Sequence, residues 1–130
     1  MSRENVELVR QLIRAFNRRD LAAMTATFDP EVEWMPGGPA AVERAVYRGA
    51  EEVSDGFATT WETWEVFELE QYAVRDLGDS VLWLGRAHLK GHIELEQEFA
   101  VHLGIRARKF VQIQGFVSWH EALEAAGLEE

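Results

Sequence analysis

The stretch from Phe16 to Trp34, FNRRDLAAMTATFDPEVEW, constrains this chain more than any other. It ends one amphipathic helix, caps and starts a second, stops that one at a proline and opens a strand. Two helices packed closely ahead of a sheet are the usual opening of a curved α+β cone with an internal pocket. The first helix is expected from about Arg3 to Asn17. Val6, Val9, Ile13 and Phe16 form one stripe at helical spacing, and Leu8, Leu12 and Ala15 widen it. Ser2 is placed to cap it, Glu4 suits its positive first turn, and Arg18 and Arg19 suit its negative end. Asp20 then caps a second helix that turns Leu21, Met24 and Phe28 inward. Asp29-Pro30 ends it, because a proline disfavours helical geometry in the residue before it. Glu31 to Met35 alternates as a strand, with Val32 and Trp34 on one face.

Residues Pro36 to Ala41 read as loop, and Val46-Tyr47-Arg48-Gly49 as a short strand entering a turn. A third helix is expected from Glu51 to about Thr63, burying Val53, Phe57 and either Trp61 or Trp64. From Glu65 the period changes to two. Strands are expected over Glu65–Arg75, Val81–Lys90, Glu94–Leu103 and Lys109–Ser118, with connections short enough for hairpins. A small helix, His120 to Ala126, closes the chain and Gly127 caps it. Helices first and an antiparallel meander afterwards mean α+β rather than βαβ. Without an internal repeat or a linker, residues 1–130 are expected to form one domain, long enough for a sizeable core.

Charge and composition narrow the partners. Acidic residues outnumber basic ones by 23 to 13, a formal net charge of −10 that repels phosphate backbones and anionic lipid surfaces. The basic cluster Arg106, Arg108 and Lys109 falls in an expected hairpin turn, where solvated charge is the ordinary explanation. Neither nucleic acid nor membrane is an expected partner. The absence of cysteine excludes disulfides, cysteine–zinc sites and thiol catalysis. No apolar run approaches the roughly 18 residues that span a bilayer, and MSRENVELVR does not read as a secretory signal. A cytoplasmic protein is expected.

Several segments together are similar to the nuclear transport factor 2-like superfamily, and within it to the SnoaL-like branch. They are AFNRRDL at the helix junction, FDPEVEW at the first strand, YRG before the third helix, EQEFA in the sheet and the ending HEALEAAGL. Their order covers nearly the whole chain. The resemblance implies a cone-shaped, cystatin-like α+β barrel, with N-terminal helices on a curved, mixed but mostly antiparallel sheet. It also implies a ligand pocket between helices and concave sheet face, and a homodimer through the convex face. It does not fix a function, since the superfamily holds isomerases, cyclases, hydrolases and non-catalytic modules. Ketosteroid isomerases need a carboxylate base and an oxyanion hole of tyrosine and protonated aspartate. The matching positions here are Trp34, Leu12 and Ala100, and none can do that work. The arginine and two aspartates of limonene epoxide hydrolases match Gly85, Ala87 and Gly115. A one-residue slip of register would bring Arg86 inward instead.

If Ala100 faces the pocket, period two brings Glu94, Glu96, Glu98 and His102 with it. Glu98 is then the candidate general base, its charge poorly solvated among Trp34 and other aromatics. His102 is the candidate acid–base partner. The two cannot pair along one strand, because four residues separate their backbones by roughly 13 Å. The same residues have a plainer reading, in which the glutamates are solvated and Leu95, Phe99, Val101 and Leu103 form the packed face. The resemblance instead puts Phe99 and Val101 on a convex face buried by a dimer, together with Phe116, Gln112 and Gln114. That second assignment is adopted here. Trp34, Phe57, Trp61, Trp83, Gly85, Ala87, Glu96, Ala100, Ile113 and Gly115 are then expected to line the pocket, the small residues making room in it. No metal site is expected, since one strand face spreads Glu94, Glu96 and Glu98 too widely for one ion, and no cofactor is expected. The leading functional expectation is a small-molecule-binding protein with an isomerase, cyclase or hydrolase activity on a small apolar substrate. The alternative is a non-catalytic dimeric domain with a largely filled pocket.

Overall fold

The computed structural model describes residues 2–37 and 46–128. Only Pro36 and Gly37 of the expected loop fall within them, and the Ser2 side chain lies outside. Helix α1 (Ser2–Arg18) and the short α2 (Leu21–Thr25) lead into β1 (Phe28–Met35). Strand β2 (Tyr47–Arg48) and helix α3 (Ala50–Thr63) follow, then β3 (Val66–Asp76), β4 (Ser80–Lys90), β5 (Glu94–Arg106) and β6 (Lys109–Phe116), and finally α4 (Trp119–Ala125). The strands make one six-stranded sheet in the order β2-β1-β6-β5-β4-β3. Among the described residues, β1 and β6 run parallel and the other pairings are antiparallel. The mixed α+β architecture expected from the sequence is the one observed, though the sheet does not close on itself.

The junction after α1 is built by side chains that reach across the fold. Arg19 adopts φ 56, in the left-handed region. Its guanidinium does not serve its own helix. It donates to the carbonyls of Trp61, Trp64 and Glu65, capping the end of α3. Asn17 accepts from Leu69 N–H and donates to Leu69 C=O, satisfying both backbone groups on the free side of edge strand β3. Asp20 caps α2 through Ala23 N–H, as expected.

Helix α2 is shorter than Asp29-Pro30 suggests, and Phe28 belongs to the strand rather than to the helix. Thr27 turns the chain, its hydroxyl and N–H both bonding Met24 C=O. Its own carbonyl accepts from Phe110 N–H, and Phe28 pairs with Phe110. Pairing with β6 overrides the helical continuation, and Pro30 falls in the irregular stretch between Phe28 and Glu33 where a missing N–H is tolerated.

Register divides the sheet into two faces. Val81 lies opposite Leu103, Trp83 opposite Val101 and Gly85 opposite Phe99. These residues pack with α1 and α3 in the main core. The intervening pairs, Leu82 with His102, Leu84 with Ala100, Arg86 with Glu98 and His88 with Glu96, occupy the other face. Directly opposed residues share a face. Gly85 and Ala100 therefore cannot both look into the cone, and the adopted strand-face assignment is corrected. Phe99 and Val101 are concave; Ala100, Glu96, Glu98 and His102 are convex. Helix α4 explains the small convex residue, since Ala122 and Leu123 pack on Leu82, Leu84 and Ala100 in a second, smaller core. Gly127, with φ 75, ends α4 with Leu128 N–H bonded to Leu123 C=O.

The β5–β6 turn carries Ala107 at φ 51 and Arg108 at φ 64. Two positive φ values define a type I′ turn, whose preferred residues are Asn-Gly. Ala107→Asn combined with Arg108→Gly is expected to stabilise the fold by about 1 kcal/mol in chemical denaturation. The Arg108–Glu4 pair it removes is surface-exposed and contributes little.

Candidate active site

An interior cavity of about 50 Å³ lies between α1, α2, α3 and the concave sheet face. Leu12, Ile13 and Phe16 reach it from α1, Phe57 and Thr60 from α3, and Phe99, Val101 and Leu103 from β5. Of the expected pocket residues, Trp34, Phe57, Ile113 and Gly115 line it. A ring stack closes one side: the Trp34 indole lies 3.9 Å from Phe57 at 14° and 4.9 Å from Tyr47 at 25°, centroid to centroid. The stack sits directly on α3 at Gly56, where a Cβ would stand 2.9 Å from Trp34 Cζ3 and 2.8 Å from Tyr47 Cε2. Gly37 and Gly115 form another part of the wall, their backbones too close for any side chain.

The remaining expected pocket residues divide in two. Trp61, Trp83, Gly85 and Ala87 are on the concave side but do not line the cavity. Trp61 packs on Phe16 at 5.7 Å, and Trp83 is fully buried with its indole N–H donated to Gln71 Oε1 at 3.2 Å. The room beside Gly85 is filled by the Trp83 ring and the Glu70 carbonyl, so it serves packing rather than a ligand. Ala100, Glu96, Glu98 and His102 lie on the opposite face, away from the cavity. Glu98 Oε1 accepts from Trp119 N–H at 2.9 Å and holds the start of α4. Glu96 pairs with His88 Nδ1 at 3.1 Å and lies 3.8 Å from Arg86 Nε. Neither carboxylate reaches the interior, and the geometry gives them structural partners.

His102 Nε2 hydrogen-bonds Ser80 Oγ at 3.1 Å. Burial pushes its pKa below the ordinary 6.5, and the nearby Asp79 charge partly offsets this. The folded state therefore disfavours the imidazolium. Between the lowered folded value and the unfolded one, the unfolded chain binds more protons, so stability rises with pH and falls on acidification below about 6.5. His102→Gln is expected to flatten the denaturation midpoint between pH 7.5 and 5 relative to wild type. Equal slopes in both proteins would remove His102 from this dependence.

Fifteen of the described residues line the cavity, and no carboxylate, imidazole, amine or guanidinium is among them. The Thr60 hydroxyl in this lining already donates to Gly56 C=O at 3.0 Å. None of these described residues takes or gives a proton at neutral pH, and what they offer is a largely apolar enclosure. Among the described residues no cluster of histidines and carboxylates could hold a metal ion, and no helix is long and apolar enough to cross a membrane. The sequence reading missed the contributions of Phe99, Val101 and Leu103. Their alternation with polar neighbours is the signal that would have found them.

The sequence model of the SnoaL-like domain matches residues 9–113. No curated protein sequence matches the chain. Among solved structures, a nuclear transport factor 2-like protein of Burkholderia thailandensis is 26% identical, with a TM-score of 0.76 over 93% of each chain. A putative polyketide cyclase of Xanthomonas campestris is 15% identical, with a TM-score of 0.77 over 92% of this chain and 94% of that one. A Catenulispora acidiphila protein with a ketosteroid isomerase-like fold, solved with trimethylamine, is 21% identical, with a TM-score of 0.72 over 95% and 94%.

Proposed function

The chain belongs to the SnoaL-like domain family, and we propose that it binds a small, largely apolar molecule in its cone by enclosure alone, without proton-transfer chemistry there. One observation carries this reading: an interior cavity exists, and among the described residues that line it none has an ionisable side chain. A volume of about 50 Å³ exceeds the 10–15 Å³ that holds one water, but falls well below a drug-sized site of about 300 Å³. The occupant is therefore a compact molecule or the end of a longer one. The flexible thioether of Met24, which lines the wall, gives room for a slightly larger guest. The trimethylamine found with the Catenulispora acidiphila neighbour is of this size, though a charged amine would meet no carboxylate here.

Titration with cyclopentane and methylcyclohexane is expected to raise the thermal midpoint of the wild type in a concentration-dependent way. Val101→Ile adds one methylene to the cavity. It is expected to stabilise the free protein by about 0.8 kcal/mol and to weaken the response to both probes. No shift with any compact apolar probe would remove the reading. That result would favour the second proposal, a non-catalytic domain with a packed cone, which the small cavity volume supports. The convex-face homodimer belongs to that proposal. Its expected surface now rests on Gln112 and Gln114 alone, since Phe116 packs against the α4 core and Phe99 and Val101 face inward. Sedimentation of the full chain measures it.

A further inference from the structure

Among the described residues, three buried side-chain nitrogens have no hydrogen-bond partner: Trp61 Nε1, Trp64 Nε1 and Gln97 Nε2. All three are donors. Buried donors are rarely left unpaired, because desolvating them without a partner is costly. Their placement has a direction. Phe57 and Thr60 line the cavity from α3; Trp61 stands one turn beyond Phe57, and Trp64, the extended residue that caps the C-terminal end of α3, follows four residues after Thr60. Phe99 lines the cavity from β5, and Gln97 is the next residue on that face, opposite the small Ala87. The Trp64 ring lies against the β4–β5 hairpin, where a Cβ on Gly91 would stand 3.3 Å from Trp64 Cε3. The three residues thus stand just beyond the cavity lining, each within four residues of one that lines it, and toward the same end of the cone, the hairpin end.

We infer that this end of the cone receives a hydrogen-bond-accepting oxygen of the bound molecule, so that the ligand is a neutral, largely apolar compound with such an oxygen rather than a plain hydrocarbon. The inference rests on the binding reading above and adds its polar requirement. Donors without free acceptors select an acceptor. Neutrality follows from the charge around them. The adjoining cation, Arg19, is already committed to the carbonyls of Trp61, Trp64 and Glu65, so a buried carboxylate would find no counter-charge of its own. Gln97 is the selecting residue that the sequence reading passed over, although it shares the parity of Leu95 and Phe99.

The test compares cyclohexanone with methylcyclohexane on the full chain, following the tryptophan indole N–H signals by ¹H–¹⁵N NMR. Cyclohexanone is expected to move the Trp61 and Trp64 indole signals in a saturable manner, and methylcyclohexane to leave them in place. Gln97→Leu is expected to lower cyclohexanone affinity about fivefold, the equivalent of one hydrogen bond, and to leave methylcyclohexane affinity unchanged or improved. If both probes bind while the indole signals stay still and Gln97→Leu changes neither affinity, the polar end is refuted and the binding cone stands. If neither probe binds, the binding reading fails and this inference falls with it.

Discussion

Gly85→Ala is expected to cost this protein more than about 3 kcal/mol, enough to abolish folding if the wild type is marginal. The reason is local. Tyr72 sits at a register irregularity between Gln71 and Ala73, beside the Gln71–Gly85 pair. An ideal Cβ on Gly85 would collide with the Glu70 carbonyl and with the ring of Trp83, which is fully buried. Backbone cannot yield as a flexible side-chain end can. On the other face the Trp119 indole N–H donates to the Gly85 carbonyl at 2.9 Å, so β4 cannot lift away without losing that bond. A glycine that merely made room for a ligand would accept a methyl group at little cost and show the change in binding. Denaturant unfolding of Gly85→Ala separates the two roles, and a midpoint near wild type would return Gly85 to the pocket.

Gly85 also marks where sequence reasoning stopped being sufficient. The helix stripes, the cap at Asp20, the period change at Glu65 and the close of α4 at Gly127 are local signals, and each appears in the fold within a few residues. Strand faces are not local. Leu95, Phe99, Val101 and Leu103 carried the right parity in their own alternation, but the small Ala100 mimicked a pocket residue. Its smallness belongs to α4, which returns over the convex face from the far end of the chain. The Phe110-to-Ile113 step has the same character. Both residues are buried, three positions apart, because the register shifts between Gly104 and Ile105. Close approaches such as Gly37 against Gly115 and Gly56 against the ring stack were equally invisible, since they depend on segments brought together only by folding. Glu98 was a reasonable candidate by residue type, and its bond to Trp119 N–H becomes legible only when α4 is in place.

Trp34→Ala is expected to convert the small cavity into a binding site for aromatic molecules while lowering stability by about 3–5 kcal/mol. Trp34 is 4% exposed and forms both the wall of the cavity and the middle of the Phe57–Trp34–Tyr47 stack. Removing the indole joins its volume to the existing space, and the new lining remains apolar. Engineered cavities of about 150 Å³ with such linings stay dry and take up benzene. Benzene or indole, at about 100 times its dissociation constant, is then expected to return about 2.7 kcal/mol of the lost stability, with a far smaller effect on wild type. An acid at the same position tests what an ionisable group does inside the cone. Trp34→Asp would put an acid against the ring of Phe57, in a cavity whose described lining residues include no cation to pair it. Its pKa is expected to rise by desolvation, and the variant to lose stability as pH rises through the ordinary carboxylate range. Rescue of Trp34→Ala by an aromatic guest would identify the indole as the element that fills the cone. If the guest leaves the variant's midpoint unchanged, the surrounding rings have collapsed into the gap and the cone does not hold an open space on its own.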